Sequence, residues 1–145
     1  MRVLVAVGLM VCITGGCATT AIRSSDAVRA PKERLLAFQE KTEKTTSAIT
    51  ITRDVGMLGS GCYLAVRING TLSVRLDVGE TSRFFVEPGE ILLSAGYDPL
   101  GRGLCGVTSG YWKTRETYLR PNETKYYRLT LEQMGDIDII RSDSE

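Results

Sequence analysis

A chain of 145 residues has room for one domain. Its 18 Lys and Arg against 17 Asp and Glu give a formal charge of +1, which leaves no excess for the basic stripe that nucleic acid requires or for electrostatic capture by anionic lipid. There is no histidine, which removes the commonest general base and metal ligand, and there are four cysteines, which become the sharper clue.

The chain opens with one cation, Arg2, followed by an apolar run from Val3 to Ile13 and the small residues Gly15 and Gly16. Such a run is too short to span a bilayer and fits the apolar region of a secretory signal. Polar Thr19 and Thr20 follow at once with no turn and return, which argues against a buried N-terminal element. The stretch Thr14-Gly15-Gly16-Cys17 resembles a lipobox, with Thr14 where Leu is commonest. Residues 1–16 are therefore expected to be a lipoprotein signal peptide and Cys17 to carry lipid. Cleavage by the ordinary signal peptidase near Ala18 to Ala21 is the other reading. Two or more acyl chains anchor stably where one does not. By resemblance to proteobacterial sorting, Ala18 and Thr19 in place of Asp after the cysteine direct the protein to the outer membrane, facing the periplasm.

Cys12 leaves with the signal and Cys17 is taken by lipid. Cys62 and Cys105 remain as an even pair in an oxidising compartment, so a disulfide is expected. A metal or redox site would have neither histidine nor a C-x-x-C spacing. The bridge would close a loop of roughly 40 residues, worth ~4 kcal/mol by the chain-entropy argument.

Residues 17–30, small and polar, are expected to form a lipidated tether. Pro31 opens PKERLLAFQEKTEK, where Glu33 near the start and Lys41 and Lys44 near the end predict a short helix over 31–45. Residues 46–145 are expected to form the domain proper. There, apolar residues recur at every second position: Ile49 and Ile51; Cys62 to Ile68; Leu72 to Val78; Ile91 to Tyr97; Tyr127 to Leu131; Ile137 and Ile139. Turn signals fall at Asn69-Gly70, Gly79-Glu80, Pro88-Gly89, Pro121-Asn122 and Gly135. One apolar and one polar face per strand predict an all-β, antiparallel two-layer sandwich of about 7–8 strands, with one short N-terminal helix after the tether. At Asn69-Gly70, a two-residue loop would oppose Val66 to Ser73 and turn one strand's apolar set outward. A three-residue connection, setting Val66 against Leu72 and Leu64 against Val74, is therefore expected.

The Gly-rich run from Gly101 to Gly110 lacks the Gly-Lys-Ser/Thr ending of a phosphate loop, so no nucleotide is expected. No His-based nucleophile team and no D-x-D-x-D-G calcium loop appear, and the carboxylates sit at turn and outward positions. A non-enzyme without cofactor or metal is the expectation. Tyr111, Trp112 and Lys113 bring two aromatics and a cation together after the long loop that holds Arg102. These four residues are the candidate interaction site. Burial statistics favour a second reading in which Trp112 is the central core residue.

The Asn69-Gly70 turn, Gly79, the Val86-Glu87-Pro88-Gly89-Glu90 segment and the segment from Leu119 to Thr124 leading into Tyr126-Tyr127 resemble lipoprotein domains related to the PEGA family of β-sandwich modules. The Gly-rich insertion around Cys105 and Asn122 in place of Gly depart from that family's pattern. The resemblance implies an extracytoplasmic fold with a binding or structural role and no substrate. Tyr111-Trp112-Lys113 also resembles a segment of membrane-bound lysozyme inhibitors. The function expected is thus a membrane-anchored periplasmic lipoprotein, structural or adaptor in role, meeting another cell-envelope protein. The alternative is an inhibitor that inserts residues 98–113 into a cell-wall hydrolase.

Overall fold

The computed structural model describes residues 19–107, 110–132 and 134–143; the expected signal peptide and the expected lipidation site Cys17 lie outside the described residues. The fold is all-β, with strands β1 (Val28–Arg29), β2 (Ser47–Arg53), β3 (Leu64–Ile68), β4 (Thr71–Leu76), β5 (Glu80–Val86), β6 (Gly89–Tyr97), β7 (Trp112–Leu119), β8 (Thr124–Leu131) and β9 (Ile137–Ser142). They form a five-stranded sheet in the order β1-β5-β2-β8-β9 and a four-stranded sheet in the order β4-β3-β6-β7. The inward residues are those set by the alternation. Ile49, Ile51, Phe84, Leu129 and Ile139 of the first sheet meet Leu64, Val66, Val74, Leu76 and Leu93 of the second, all buried.

The expected all-antiparallel layout is corrected, because β2 runs parallel to β8 and β1 parallel to β5. Period-two alternation says which face a residue takes, and nothing about which strand lies beside it or in which direction.

The helix expected over 31–45 does not form. Lys32–Arg34 makes one 3-10 turn, and the chain then runs extended along the open edge between the sheets. There Leu36 and Ala37 donate their N–H groups to Ser73 O in β4, while Phe38 O accepts from Phe85 N–H in β5. Leu35 and Phe38 pack against the core from this strap. A helix would satisfy its own backbone and leave the two sheet margins unpaired. The strap satisfies both margins and still buries its two best apolar residues.

The residues described from the expected tether are docked on the domain. Thr20 exchanges backbone hydrogen bonds with Val55 (2.7 and 3.0 Å), β1 joins β5, and Ala30 enters the core.

The Asn69-Gly70 connection also departs from expectation. Ile68 pairs directly with Thr71, so the loop has two residues, with φ of 49° and 79° at Asn69 and Gly70. The extra residue needed to bring the apolar sets to one face is present, but it lies inside the strand. A bulge puts Ser73 between the pairs Arg67–Leu72 and Val66–Val74, so Val66 faces Val74 and Leu64 faces Leu76. Leu72 is turned to the outer face as a result. The buried Ser73 hydroxyl accepts from Ile68 N–H (3.2 Å) and donates to Thr71 O (2.8 Å), which satisfies the backbone at the bulge.

Candidate functional site

The outer face of the four-stranded sheet is built from the residues that alternate with the core: Tyr63, Ala65 and Arg67; Leu72 and Arg75; Leu92, Ser94, Gly96 and Asp98; Trp112, Thr114, Glu116 and Tyr118. At one end of this face Tyr63 carries two guanidinium groups, Arg34 at 4.5 Å and Arg75 at 5.1 Å from the ring centroid. Each cation is fixed by a carboxylate. Arg75 grips Asp98 with contacts of 2.9, 2.9 and 2.6 Å, and Arg34 grips Glu80 at 2.6 and 2.5 Å. The hydrogen bond that the Arg34 guanidinium donates to Glu80 raises its proton affinity, against a smaller opposing effect of burial. Buried Asp98 also caps Leu100 N–H and so holds the start of the long loop.

Trp112 belongs to this layer. It lies half-buried against Gly96, its cross-strand partner, where an added methyl would meet the indole at 2.9 Å, and the Arg67 guanidinium sits 3.9 Å from its ring centroid. The reading of Trp112 as a central core residue is therefore corrected. Only a glycine at position 96 lets the indole lie flat on the sheet.

The four expected interaction residues do not form one surface. Lys113 pairs with Ala95, a core residue, so it lies on the inward side of β7, opposite to Trp112. Tyr111 is 64% exposed just before the strand. Arg102 is exposed in the loop and lines a small hollow of about 340 Å³ with Tyr63, Arg75 and Asp98. The Cys62–Cys105 disulfide forms, with Cα atoms 5.4 Å apart, and seats that loop beside Tyr63. Tyr63, Arg67, Arg75 and Asp98 are the residues that sequence reasoning missed. Their signal was present as outward positions in the alternation, read there only as the solvated side.

A second hollow, of about 680 Å³, lies on the outer face of the five-stranded sheet between Ser24 and Ser25 on one side and Gln39 and Lys41 on the other. Its floor includes Thr50, Thr81 and Tyr126, and its lining contains cations and hydroxyls without a carboxylate. Such a lining offers hydrogen bonds but no acid–base pair.

β7 and β9 meet at the remaining open edge of the sandwich through charge. Arg115 of β7 binds Asp138 of β9 (3.0 and 2.5 Å), and Lys125 donates to Thr117 Oγ1 (3.3 Å) and Tyr118 O. Burial alone would push the Asp138 carboxyl up; hydrogen bonds from Arg115 and from Ile139 N–H outweigh it, so the group is held below the ordinary carboxylate range. No protein-family model matches the sequence, and no curated protein matches it.

Proposed function

We propose that the protein is a non-enzymatic lipoprotein, anchored through Cys17 on the periplasmic side of the outer membrane, that binds another cell-envelope protein. The outer face of the β4-β3-β6-β7 sheet is the contact surface. The observation that carries this reading is the composition of that face. Tyr63, Trp112 and Tyr118 alternate with Arg67 and Arg75, and Leu72 and Leu92 lie between them. Tyr, Trp and Arg are the residues enriched where proteins meet, because they give large contact area with a polar handle at small entropic cost. The ion pairs with Asp98 and Glu80 fix Arg75 and Arg34 beforehand, so a partner meets an ordered surface. Leu92 and Tyr118 remain 42% and 62% exposed on this face. The turn chemistry shared with the PEGA-related modules agrees with an extracytoplasmic binding role.

A photo-crosslinking residue placed at Leu92 or Tyr118, in cells that carry the lipidated protein, tests the reading. The expected result is one discrete envelope-protein adduct from both positions, lost on Arg67→Glu. Adducts from exposed Lys44, which leads into β2 of the other sheet, with none from Leu92 or Tyr118 would overturn it.

A further inference from the structure

We propose that the end of the sandwich nearest Cys17 is a membrane-docking surface, with the loops around Met57, Leu104, Val107 and Met134 entering the lipid interface and holding the strands upright on the bilayer. This rests on the reading that Cys17 carries lipid and adds an orientation to it.

The first observation is where the chain is fastened. The Thr19 hydroxyl accepts from Leu131 N–H (3.3 Å) and Thr20 is paired with Val55. Two peptide units can reach only about 7 Å, so Cys17 cannot lie further than that from the Thr19 backbone. A lipid attached there leaves almost no slack, and the end bearing Thr19 must sit close to the bilayer.

The second observation is what that end displays. The strand registers bring four connections to it: β2 to β3, β4 to β5, β6 to β7, and β8 to β9. Cross-ties confirm the grouping, since Cys62 is bonded to Cys105, Tyr97 donates its hydroxyl to Gly135 O, and Gly56 lies against Thr19. On these connections Met57 is 94% exposed, Met134 93%, Leu104 89%, Val107 79% and Leu100 55%. Single exposed apolar residues are ordinary, but these share one end. The opposite end carries Asn69-Gly70, Glu87-Pro88-Gly89 and Pro121-Asn122-Glu123, and none of the exposed large apolar side chains of the described residues lies on those turns.

A bilayer interface is the occupant that fits both observations. The apolar loops face the place where the acyl chains must enter the membrane, and loops with apolar tips reach the headgroup–acyl boundary by burying apolar area. The exposed charges at this end, Arg102 against Glu132 and Asp136, are of mixed sign. Docking should therefore need no anionic lipid.

The chain supplies its own probes, because beyond the signal its methionines are Met57 and Met134. Acylated protein carrying a reporter methionine at the opposite end, Glu87→Met, is reconstituted at high dilution in phosphatidylcholine vesicles and treated with chloramine-T. Oxidation at each methionine is then followed by peptide mass. The expected result is oxidation of Met57 and Met134 at least tenfold slower than at the reporter, with Met57 restored to the reporter's rate by Leu104→Glu with Val107→Glu. Acyl chains present on the Cys17 peptide but equal rates at all three methionines would overturn the docking and leave the anchor standing. A Cys17 peptide without acyl chains would overturn both.

Discussion

Arg53 is the most demanding test of how the loops at this end are held. It lies on the inward side of β2, following Ile49 and Ile51, and is 2% exposed. Its guanidinium donates to Cys62 O (2.7 Å), Leu76 O (2.8 Å) and Gly59 O (2.9 Å), joining the β2–β3 loop to the end of β4. Burial lowers its proton affinity to about 10, opposed by the more distant Asp77 and Glu80. At about 1.4 kcal/mol per unit, the fall from the ordinary guanidinium value to about 10 corresponds to roughly 3 kcal/mol of desolvation cost. Three hydrogen bonds from a charged donor contribute about 1.5–3 kcal/mol each, or about 5–9 kcal/mol together. The bonds win, and Arg53→Met, which keeps the bulk and removes the donors, should lose roughly 2–6 kcal/mol. That is a large share of the stability of an ordinary domain. The sign with pH also follows. A cation with a depressed folded-state pKa carries its full penalty below about 10, and the penalty lifts only as pH rises from there toward the ordinary guanidinium value. The difference between wild type and Arg53→Met in urea unfolding should therefore be flat from about pH 5 to about pH 8. A variant as stable as the wild type, or a difference that changes across that window, would refute the reasoning.

Breaking the bridge by Cys62→Ser with Cys105→Ser should cost ~4 kcal/mol for its sequence separation of 43, read as a fall in the urea midpoint with the slope m also altered by a less compact unfolded state. Gly96→Ala puts a methyl 2.9 Å from both the Trp112 ring and Tyr111 O, so it should displace the indole, shift its emission to the red and cost about 1–3 kcal/mol in urea unfolding. Asp138→Asn should destabilise the protein above the ordinary carboxylate pKa, and the difference should vanish as pH falls through the depressed folded-state value, because a carboxylate held low contributes only while ionised; thermal unfolding of both proteins between about pH 2 and about pH 7 reads it.

The layering was legible because burial acts on every second residue of a half-buried strand. That is why Ile49, Leu64, Val66, Leu93 and Leu129 could be assigned inward without any knowledge of their neighbours. β7 carried no such mark, since its inward positions at the open edge are the polar Lys113, Arg115 and Thr117, of which Arg115 pairs with Asp138 of β9. Pairing order was hidden for a different reason: β2 and β8 are adjacent and parallel although five strands lie between them in the chain order, and nothing local encodes that choice. The strap was misread because Pro31, Glu33 and the lysines satisfy helix-end preferences. Those are worth tenths of a kcal/mol, whereas an unpaired sheet margin costs more. Of the candidate contact face, only Trp112 was legible, because an outward Arg or Tyr looks the same in sequence whether it is solvated or stacked.

The hairpin shows that a parity argument constrains the sum of a turn and its strands rather than the turn alone. Matching Leu64 and Val66 to apolar partners across β4 requires one residue more on one strand than on the other. Asn69-Gly70 has the two positive-φ residues that a two-residue turn needs, so placing the extra residue there would give up a favourable turn. Ser73 accommodates it instead, because a hydroxyl can satisfy the Ile68 N–H while the Ser73 carbonyl turns outward to receive Leu36 and Ala37. The bulge is therefore also the docking point of the strap, and one inserted residue both aligns the core and supplies the acceptor that closes the sandwich edge.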